Sequence, residues 1–235
     1  MQRLFVSLSM LLFFAASLNA STTPNHQLWE NILQKNVNYK AGTVNYKAIK
    51  ANKAALQAYL TELETHTPQA DWSRNDKLAY WINVYNAYTV KLIVDNYPLS
   101  SITKIDKPWD IKFIKIAGTT YSLNQVENDI LRKYTSKIHF AINCASISCP
   151  PLYNHAFTSE NANTYLNRLT RNFLTNSQRT VVSENSVKVS KIFDWYSVDF
   201  KTDGSIIPYL NKYLDPDLPA DATVSYLEYD WNLNQ

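Results

Sequence analysis

Glycine is scarce in this chain, and its distribution excludes two large classes of protein. The sequence has 235 residues but only three glycines, Gly42, Gly118 and Gly204. A phosphate-binding loop or a dinucleotide-binding turn needs clustered glycines, because the backbone must approach the phosphate groups closely. Since no such cluster exists, the sequence predicts no nucleotide cofactor, and no other cofactor is predicted.

The chain also lacks a strong excess of charge of either sign. It has 23 Lys and Arg residues against 20 Asp and Glu residues, which gives a net charge of +3. The basic residues form no block, which argues against nucleic acid as a partner. After the first twenty residues no apolar run approaches the ~20 residues that a bilayer requires, so no transmembrane segment is predicted in the mature chain.

The first twenty residues are typical of a secretion signal. Arg3 supplies the positive start, residues 4–16 are almost entirely apolar, and Ala20 is the small residue that favours cleavage. No cysteine follows, so this is not a lipoprotein signal. We therefore predict a signal peptide over 1–20 and a single globular domain over 21–235, in a secreted, periplasmic protein.

Hydrophobic periodicity and capping residues predict an α+β fold. Helices are predicted over 26–36, 45–64, 73–96, 122–133, 158–175 and 205–214. Hairpins are predicted over 111–122 and 179–190, and a last strand over 224–229. We expect the helices of the first half to pack on a mostly antiparallel sheet from the second half.

The longest predicted helix, 73–96, carries two asparagines on a stripe that borders its apolar face. These are Asn83 and Asn86. A buried amide needs hydrogen-bond partners. Either the backbone of a neighbouring loop supplies them or a ligand does, so both asparagines are candidate binding residues.

Glu127 falls in the middle of the apolar face of the helix predicted over 122–133. An unpaired carboxylate in a core costs several kcal/mol, so we expect a partner among Arg132, Lys133 and His139. Two interpretations stay open: a structural ion pair, and a carboxylate that orients His139 for catalysis.

The segment 137–151 holds both cysteines and one of only four histidines. An apolar run leads into it and Pro150-Pro151 ends it, which predicts a buried strand that delivers polar side chains to a loop. Loops at strand ends are frequent sites of function. His139, Cys144 and Cys149 follow one another at intervals of five residues.

The first hypothesis for this segment is a thiol enzyme. Cys144 is the nucleophile, His139 is its base, and Glu127 or a nearby asparagine, such as Asn143, orients the histidine. An unbroken strand would place His139 and Cys144 on opposite faces, since their offset is odd. The strand must therefore end or bulge near Asn143.

Two further hypotheses use the same side chains. In an oxidising compartment Cys144 and Cys149 are expected to form a structural disulfide, since the chain has no third cysteine. Alternatively, His139 and both cysteines bind a metal with His155, although their spacing matches no standard zinc signature.

A resemblance covers most of the chain from about residue 25 onward. Its motifs are YWINVYNA at 80–87, DNYP at 95–98, YSL at 121–123, IHFA at 138–141, NCAS at 143–146, SCPPL at 148–152, SKIF at 190–193, WY at 195–196, DF at 199–200 and YDWNLN at 229–234. They resemble the family catalogued as domain of unknown function 547. Three positions depart from that family's pattern: Ala117, where Gly is usual, Asn128, where His is frequent, and Ser136-Lys137 in place of Pro-Arg.

The resemblance implies little about activity, because the family is largely uncharacterised. Some relatives are fused to glutaredoxin-like domains, which points to thiol chemistry. Two functions are therefore carried forward: a Cys-His thiol enzyme for acyl transfer or amide hydrolysis, and a non-enzymatic envelope binding module with a Cys144–Cys149 disulfide. Whether the protein is an enzyme stays open.

The remaining candidates concern the ligand. Ser146 and Cys149 join the asparagines as candidate binding residues, and no metal site is assigned. The Tyr- and Trp-rich ends of the chain predict a groove for a peptide, a glycan or a small molecule. Asp194 and Asp199 are assigned to turns and caps, although an aspartate near the pocket can orient the histidine.

Overall fold

The helix predicted over 73–96 forms the centre of the fold. In the computed structural model, which describes residues 23–235, this helix (α4) spans Arg74–Asn96. Ser73 Oγ accepts a hydrogen bond from the Asp76 amide, and the Asp76 carboxylate accepts one from the Ser73 amide, both at 3.1 Å. This reciprocal capping box fixes the start of the helix. Every residue from 78 to 90 is buried, as expected for a helix surrounded by protein on all sides.

Residues 23–235 contain eight other α-helices: α1 (Gln27–Asn36), α2 (Tyr46–Ala51), α3 (Lys53–Thr65), α5 (Leu123–Gln125), α6 (Ala162–Leu174), α7 (Ile192–Trp195), α8 (Ser197–Phe200) and α9 (Ile207–Leu210). Of these, α2, α3, α5 and α6 pack against α4, as does the segment that follows α5. Asn45 caps α2 as predicted, since its Oδ1 accepts from the Ala48 amide at 3.0 Å. The single helix predicted over 45–64 is broken at Asn52, and the helix predicted over 205–214 is only one turn long.

The strands form three small sheets. They are β1 (Val37–Asn38), β2 (Thr43–Val44), β3 (Ile114–Ile116), β4 (Thr119–Tyr121), β5 (Thr180–Ser183), β6 (Ser186–Val189) and β7 (Thr223–Tyr226). The pairs β1–β2, β3–β4 and β5–β6 are antiparallel, and β7 joins β6 in parallel. The predicted α+β class and mostly antiparallel pairing are confirmed, although the buried core is centred on α4.

The strand predicted within 137–151 is wrong. Residues Ser136–Phe140 form a 3₁₀ helix, and irregular chain with one isolated bridge, Ser146 to Leu233, follows it. The backbone bonds locally, because the amides of Ala141 and Ile142 both donate to the Ile138 carbonyl, at 2.9 and 3.0 Å. Apolar content alone cannot separate such a buried helical turn from a strand.

One continuous core runs from Trp29 to Leu233. The predicted signal peptide lies outside the described residues. Between residues 23 and 235, no helix is both long enough and apolar enough to cross a membrane.

Candidate functional site

One cavity of about 360 Å³ brings together His139, Glu127 and both cysteines. Fifteen side chains line it: Tyr85, Trp109, Asp110, Asn124, Glu127, His139, Ile142, Cys144, Cys149, Pro150, Ile192, Trp195, Tyr196, Tyr229 and Trp231. They come from α4, from residues 109–110 before β3, from residues 124–150, from residues 192–196 and from residues 229–231 near the C-terminus. The cavity has the size of an ordinary small-molecule site.

His139 is buried and lies between two carboxylates. Its Nε2 lies 2.7 Å from Asp199 Oδ2, and its Nδ1 lies 3.6 Å from Glu127 Oε1. Arg132 also binds both oxygens of Asp199, at 2.6 and 2.7 Å. Burial tends to raise the pKa of Asp199, but the hydrogen bonds from Arg132 and His139 outweigh it and lower that pKa. Asp199 is therefore an ionised acceptor, and Nε2 of His139 carries the hydrogen.

Glu127 has the partner that its position on an apolar face demanded. Tyr85 donates its hydroxyl hydrogen to Glu127 Oε2 at 3.1 Å, and His139 faces Oε1. Of the three expected partners, His139 is the one observed, because Arg132 is held by Asp199. Glu127 lies in a π-helical turn, Val126–Ile130, a distortion that is frequent at functional sites.

Cys144 has the surroundings of a reactive thiol. The residue is half-buried, and its Sγ lies 3.3 Å from both Ser146 Oγ and Tyr229 Oη. Burial by itself raises the pKa of the thiol. The hydrogen bonds with Cys149, Ser146 and Tyr229 outweigh that effect and lower the pKa of Cys144 to about 7. The lowered pKa favours the thiolate, which is the form in which a cysteine acts as a nucleophile.

Cys149 contacts Cys144 but has the opposite character. The Cys144 amide donates to Cys149 Sγ at 2.9 Å, and both cysteines are free thiols in this structure. Burial, together with the hydrogen bond to Cys144, holds the pKa of the Cys149 thiol well above its usual range. The pair thus combines an accessible acidic thiol with a buried neutral one.

His139 and Cys144 line the same cavity without a hydrogen bond between them. The two nitrogens of His139 face Asp199 and Glu127, and the contacts of Cys144 Sγ are with hydroxyl groups. A strand would place His139 and Cys144 on opposite faces, but the segment that joins them is not a strand, so both side chains reach the same cavity. The low pKa of Cys144 comes from hydroxyl and thiol hydrogen bonds, and the imidazole contributes no direct contact.

The predicted binding asparagines hold loops in place. Asn83 bonds both backbone groups of Phe157, at 2.7 and 3.1 Å. Asn86 bonds the Ala141 carbonyl and the Asn143 amide, both at 2.9 Å. Neither side chain lines the cavity. The side-chain amides of Asn83 and Asn86 therefore hold the backbone near residues 157 and 141–143 against α4.

Asn143 and Ser146 shape the loop that carries Cys144. Asn143 donates to the Pro150 carbonyl at 2.8 Å and accepts from the Ala145 amide at 2.9 Å. Ala145 has φ +62° and is fully buried, a conformation that strains a residue with a side chain and is often retained at functional sites. Ser146 contacts the Cys144 sulfur and Tyr229 directly. Ser146 is therefore closer to the reactive sulfur than Asn143 is.

An aromatic wall, defined as Trp109, Trp195, Tyr229 and Trp231, forms one side of the cavity. Trp195 stacks on Trp231 with ring centroids 5.6 Å apart, and Tyr229 contacts both. Trp109 meets Trp231 edge-on at 5.6 Å. The Tyr- and Trp-rich C-terminal motif signals this wall in the sequence, but its approach to Cys144 depends on long-range folding.

The metal hypothesis gains no support from the side-chain positions. His155 is bound by Glu30 at 2.9 Å and does not line the cavity. Within the part of the chain that the structure describes, no group of three or more His, Cys, Asp and Glu side chains is placed to hold a metal ion.

Comparison with known proteins gives one match. Residues 69–174 match the family model described as "Protein of unknown function, DUF547". The match includes Glu127, His139, Cys144 and Cys149, whereas Asp199 and the aromatic residues after α6 lie beyond it. Neither the curated proteins nor the solved structures gave a match.

Proposed function

The chain resembles the DUF547 family over residues 69–174, and from this premise and the geometry of the cavity we propose that it is a thiol enzyme for acyl transfer or amide hydrolysis. Cys144 is the nucleophile. The observation that carries the proposal is the position of its sulfur in an open cavity, between two hydroxyl groups that favour the thiolate. The secretion signal predicted at the N-terminus makes the periplasm the proposed compartment.

The proposed reaction has two steps. The Cys144 thiolate attacks a carbonyl carbon and forms a C–S bond, and the amine or alcohol leaves with the electron pair of the broken bond and takes up a proton. Water then attacks the thioester, releases a carboxylic acid and restores the thiol. If an amine replaces water in the second step, the product is a new amide.

His139 is the proposed proton donor to the leaving group. Of the histidines in residues 23–235, it is the one that lines the cavity, and Asp199 fixes its ring through Nε2. The Nδ1 nitrogen faces Glu127 and is the position where a proton is exchanged. General acid catalysis of this kind contributes typically 10²–10⁴-fold in rate.

Trapping of an acyl-enzyme tests the proposal. The reduced full-length protein is incubated with a panel of activated acyl esters and thioesters, and the intact mass and the modified peptide are measured. We expect a mass increase on Cys144 that decays as the thioester is hydrolysed. In His139→Gln the adduct should form from activated esters, which need little acid catalysis, but turnover of amides should be lost.

The matched controls are Cys144→Ser and Cys149→Ser. The first should give no adduct, while the second should retain one, because Cys149 is buried and its thiol is neutral. An adduct that forms equally in Cys144→Ser, or a Cys144 that fails to alkylate below pH 8, contradicts the proposal.

A second function is favoured by the contact between the two cysteines. In this alternative the protein is a non-enzymatic envelope binding module whose site loop is held by a Cys144–Cys149 disulfide. The 2.9 Å contact between the Cys144 amide and Cys149 Sγ supports it, since the two residues are already adjacent. A Cys144–Cys149 disulfide would leave no free thiolate on Cys144, so this function and the thiol enzyme exclude one another.

The thiol state of protein from its native compartment separates the two functions. Alkylation with and without reductant, followed by mass spectrometry, counts the free thiols, and the same spectra give the mature N-terminus and hence the cleavage site. In the binding-module alternative both thiols are protected until reduction, and loss of the bridge lowers the free energy of unfolding by about 2–5 kcal/mol. A free Cys144 that alkylates rapidly at pH 7 favours the enzyme.

A further inference from the structure

The cavity has an uneven charge distribution. Among residues 23–235, its lining includes the carboxylates of Glu127 and Asp110 and the acidic thiol of Cys144, but no Lys or Arg. The guanidinium of Arg132 lies behind the lining residue Tyr196, 5.4 Å from its ring centroid, and is held by both oxygens of Asp199. Within the described part of the chain, a ligand that enters the cavity therefore meets two carboxylates and no lining side chain with a permanent positive charge.

Asp110 is the carboxylate of the lining that has room for a ligand. It is exposed, and within the described residues its carboxylate accepts one hydrogen bond, from Asn124 Nδ2 at 3.1 Å. No ion pair joins it to a cation anywhere in residues 23–235. Glu127, in contrast, is buried and satisfied by Tyr85 and His139. Asp110 thus offers a free negative charge beside the aromatic wall.

The tryptophans of the aromatic wall have no cation over their rings. Seven cation–π contacts occur in residues 23–235, and in all of them the ring belongs to Tyr or Phe. Indole is the strongest aromatic partner for a cation. Trp195 is 46% exposed, which is unusual for so large an apolar side chain and leaves ring surface open at the cavity.

From these three observations we infer that the cavity binds an alkylammonium group of the substrate, with the aromatic wall around its methylene groups and Asp110 near its charge. The side chain of a lysine residue has this chemistry. The identification of the ligand as a substrate depends on the proposed function, whereas the preference for a cation does not.

Calorimetry on Cys144→Ser, which binds without turnover, tests the inference with three blocked amino acids. They are the Nα-acetyl methylamides of lysine, of Nε-acetyl-lysine and of norleucine, which keep the methylene chain but differ in charge. We expect the lysine compound to bind at least about tenfold more tightly than the other two at low salt, from one cation–π contact and one ion pair together. The preference should fall as salt is raised, because the charge of Asp110 is exposed.

Variants assign the contacts. Asp110→Asn should weaken binding of the lysine compound about threefold and leave the norleucine compound unchanged. Trp195→Leu should weaken it about fivefold. Glu184→Gln removes an equal charge from an exposed turn between β5 and β6 and should have no effect.

Equal affinities for the lysine and norleucine compounds, or no binding of the lysine compound at millimolar concentration, overturn the inference. These outcomes leave acyl trapping on Cys144 unaffected, so they are distinguishable from failure of the proposed function. Conversely, if the lysine compound binds selectively but no acyl adduct forms, the preference for an alkylammonium group stands and the proposed enzymatic function is refuted.

Discussion

Asp199 and His139, sixty residues apart in the sequence, lie 2.7 Å apart at the cavity. The aspartate belongs to α8, while the histidine lies in the 3₁₀ helix Ser136–Phe140, in another part of the chain. Because Arg132 binds the same carboxylate, the charge of Asp199 is compensated and its position is fixed. The orientation of the imidazole therefore depends on a residue outside the segment that carries both cysteines.

Replacing Asp199 with Asn should lower the free energy of unfolding by about 1.5–3 kcal/mol at pH 7, the range for hydrogen bonds to charged groups. The pKa of Asp199 is lower in the folded state, so its contribution is present above the unfolded pKa of ~3.9 and is lost as pH falls through the folded pKa. Urea unfolding of wild type and Asp199→Asn at pH 7 and pH 3 should show the difference shrink at the lower pH.

The control for that experiment is Asp194→Asn. Asp194 forms an exposed pair with Lys191 at 2.9 Å, and exposed pairs contribute at most about 1 kcal/mol. A loss in Asp199→Asn no larger than in this control would mean that Asp199 does not hold His139 in place.

Removal of the Tyr229 hydroxyl should make Cys144 less acidic. Tyr229→Phe keeps the ring in the aromatic wall but deletes one hydrogen bond to the sulfur, so the midpoint of Cys144 alkylation should rise from near 7 by about one pH unit. The measurement is the second-order rate with iodoacetamide between pH 5 and pH 10. Tyr226→Phe, a change on β7 away from the thiol, should leave the profile unchanged.

Asn86→Ala should destabilise the fold rather than remove a ligand contact. The change leaves the buried Ala141 carbonyl and Asn143 amide without their partners, at a cost of about 2–3 kcal/mol. Chemical unfolding measures the loss, and Asn96→Ala at the exposed end of α4 should cost no more than about 0.5 kcal/mol. Unchanged stability together with weaker ligand binding would restore Asn86 as a binding residue.

Ala117→Gly should stabilise the protein. Ala117 has φ +49° in the turn between β3 and β4, next to Gly118 at φ +76°. Relief of the left-handed strain gains about 1–2 kcal/mol, offset by about 0.4–1 kcal/mol of added freedom in the unfolded chain. Thermal unfolding should therefore shift upward in Ala117→Gly and downward in Gly118→Ala; the opposite order would mean that the turn relaxes in solution.

Local chemistry made much of the fold predictable. The residues alone predict a helix start at Ser73 and a cap at Asn45, and both side chains accept a capping hydrogen bond in the structure. The hairpins were located by their turn residues, with strands shorter than expected. Such signals depend on neighbours within a few residues, so they can be interpreted without knowledge of the rest of the chain.

The parts that failed depend on partners far away in the sequence. The apolar run 137–142 predicts a strand, but a strand needs a neighbour for its hydrogen bonds, whereas residues 136–140 bond locally as a 3₁₀ helix that packs against α6. Asp199 was assigned to a turn or cap, since nothing near it in the sequence indicates Arg132 or His139.

By itself the sequence determined which side chains are chemically unusual. A carboxylate on an apolar helix face and a histidine in an apolar run cost free energy unless they find partners, and two cysteines in one short segment are notable for their reactivity. Only the tertiary structure decided which partners they have. Glu127 and Asp199 flank His139, while Cys144 faces Tyr229 and Ser146. The amides of Ile147 and Ser148 donate to the carbonyls of Asn232 and Asp230, which holds the C-terminal residues against the loop that carries Cys144.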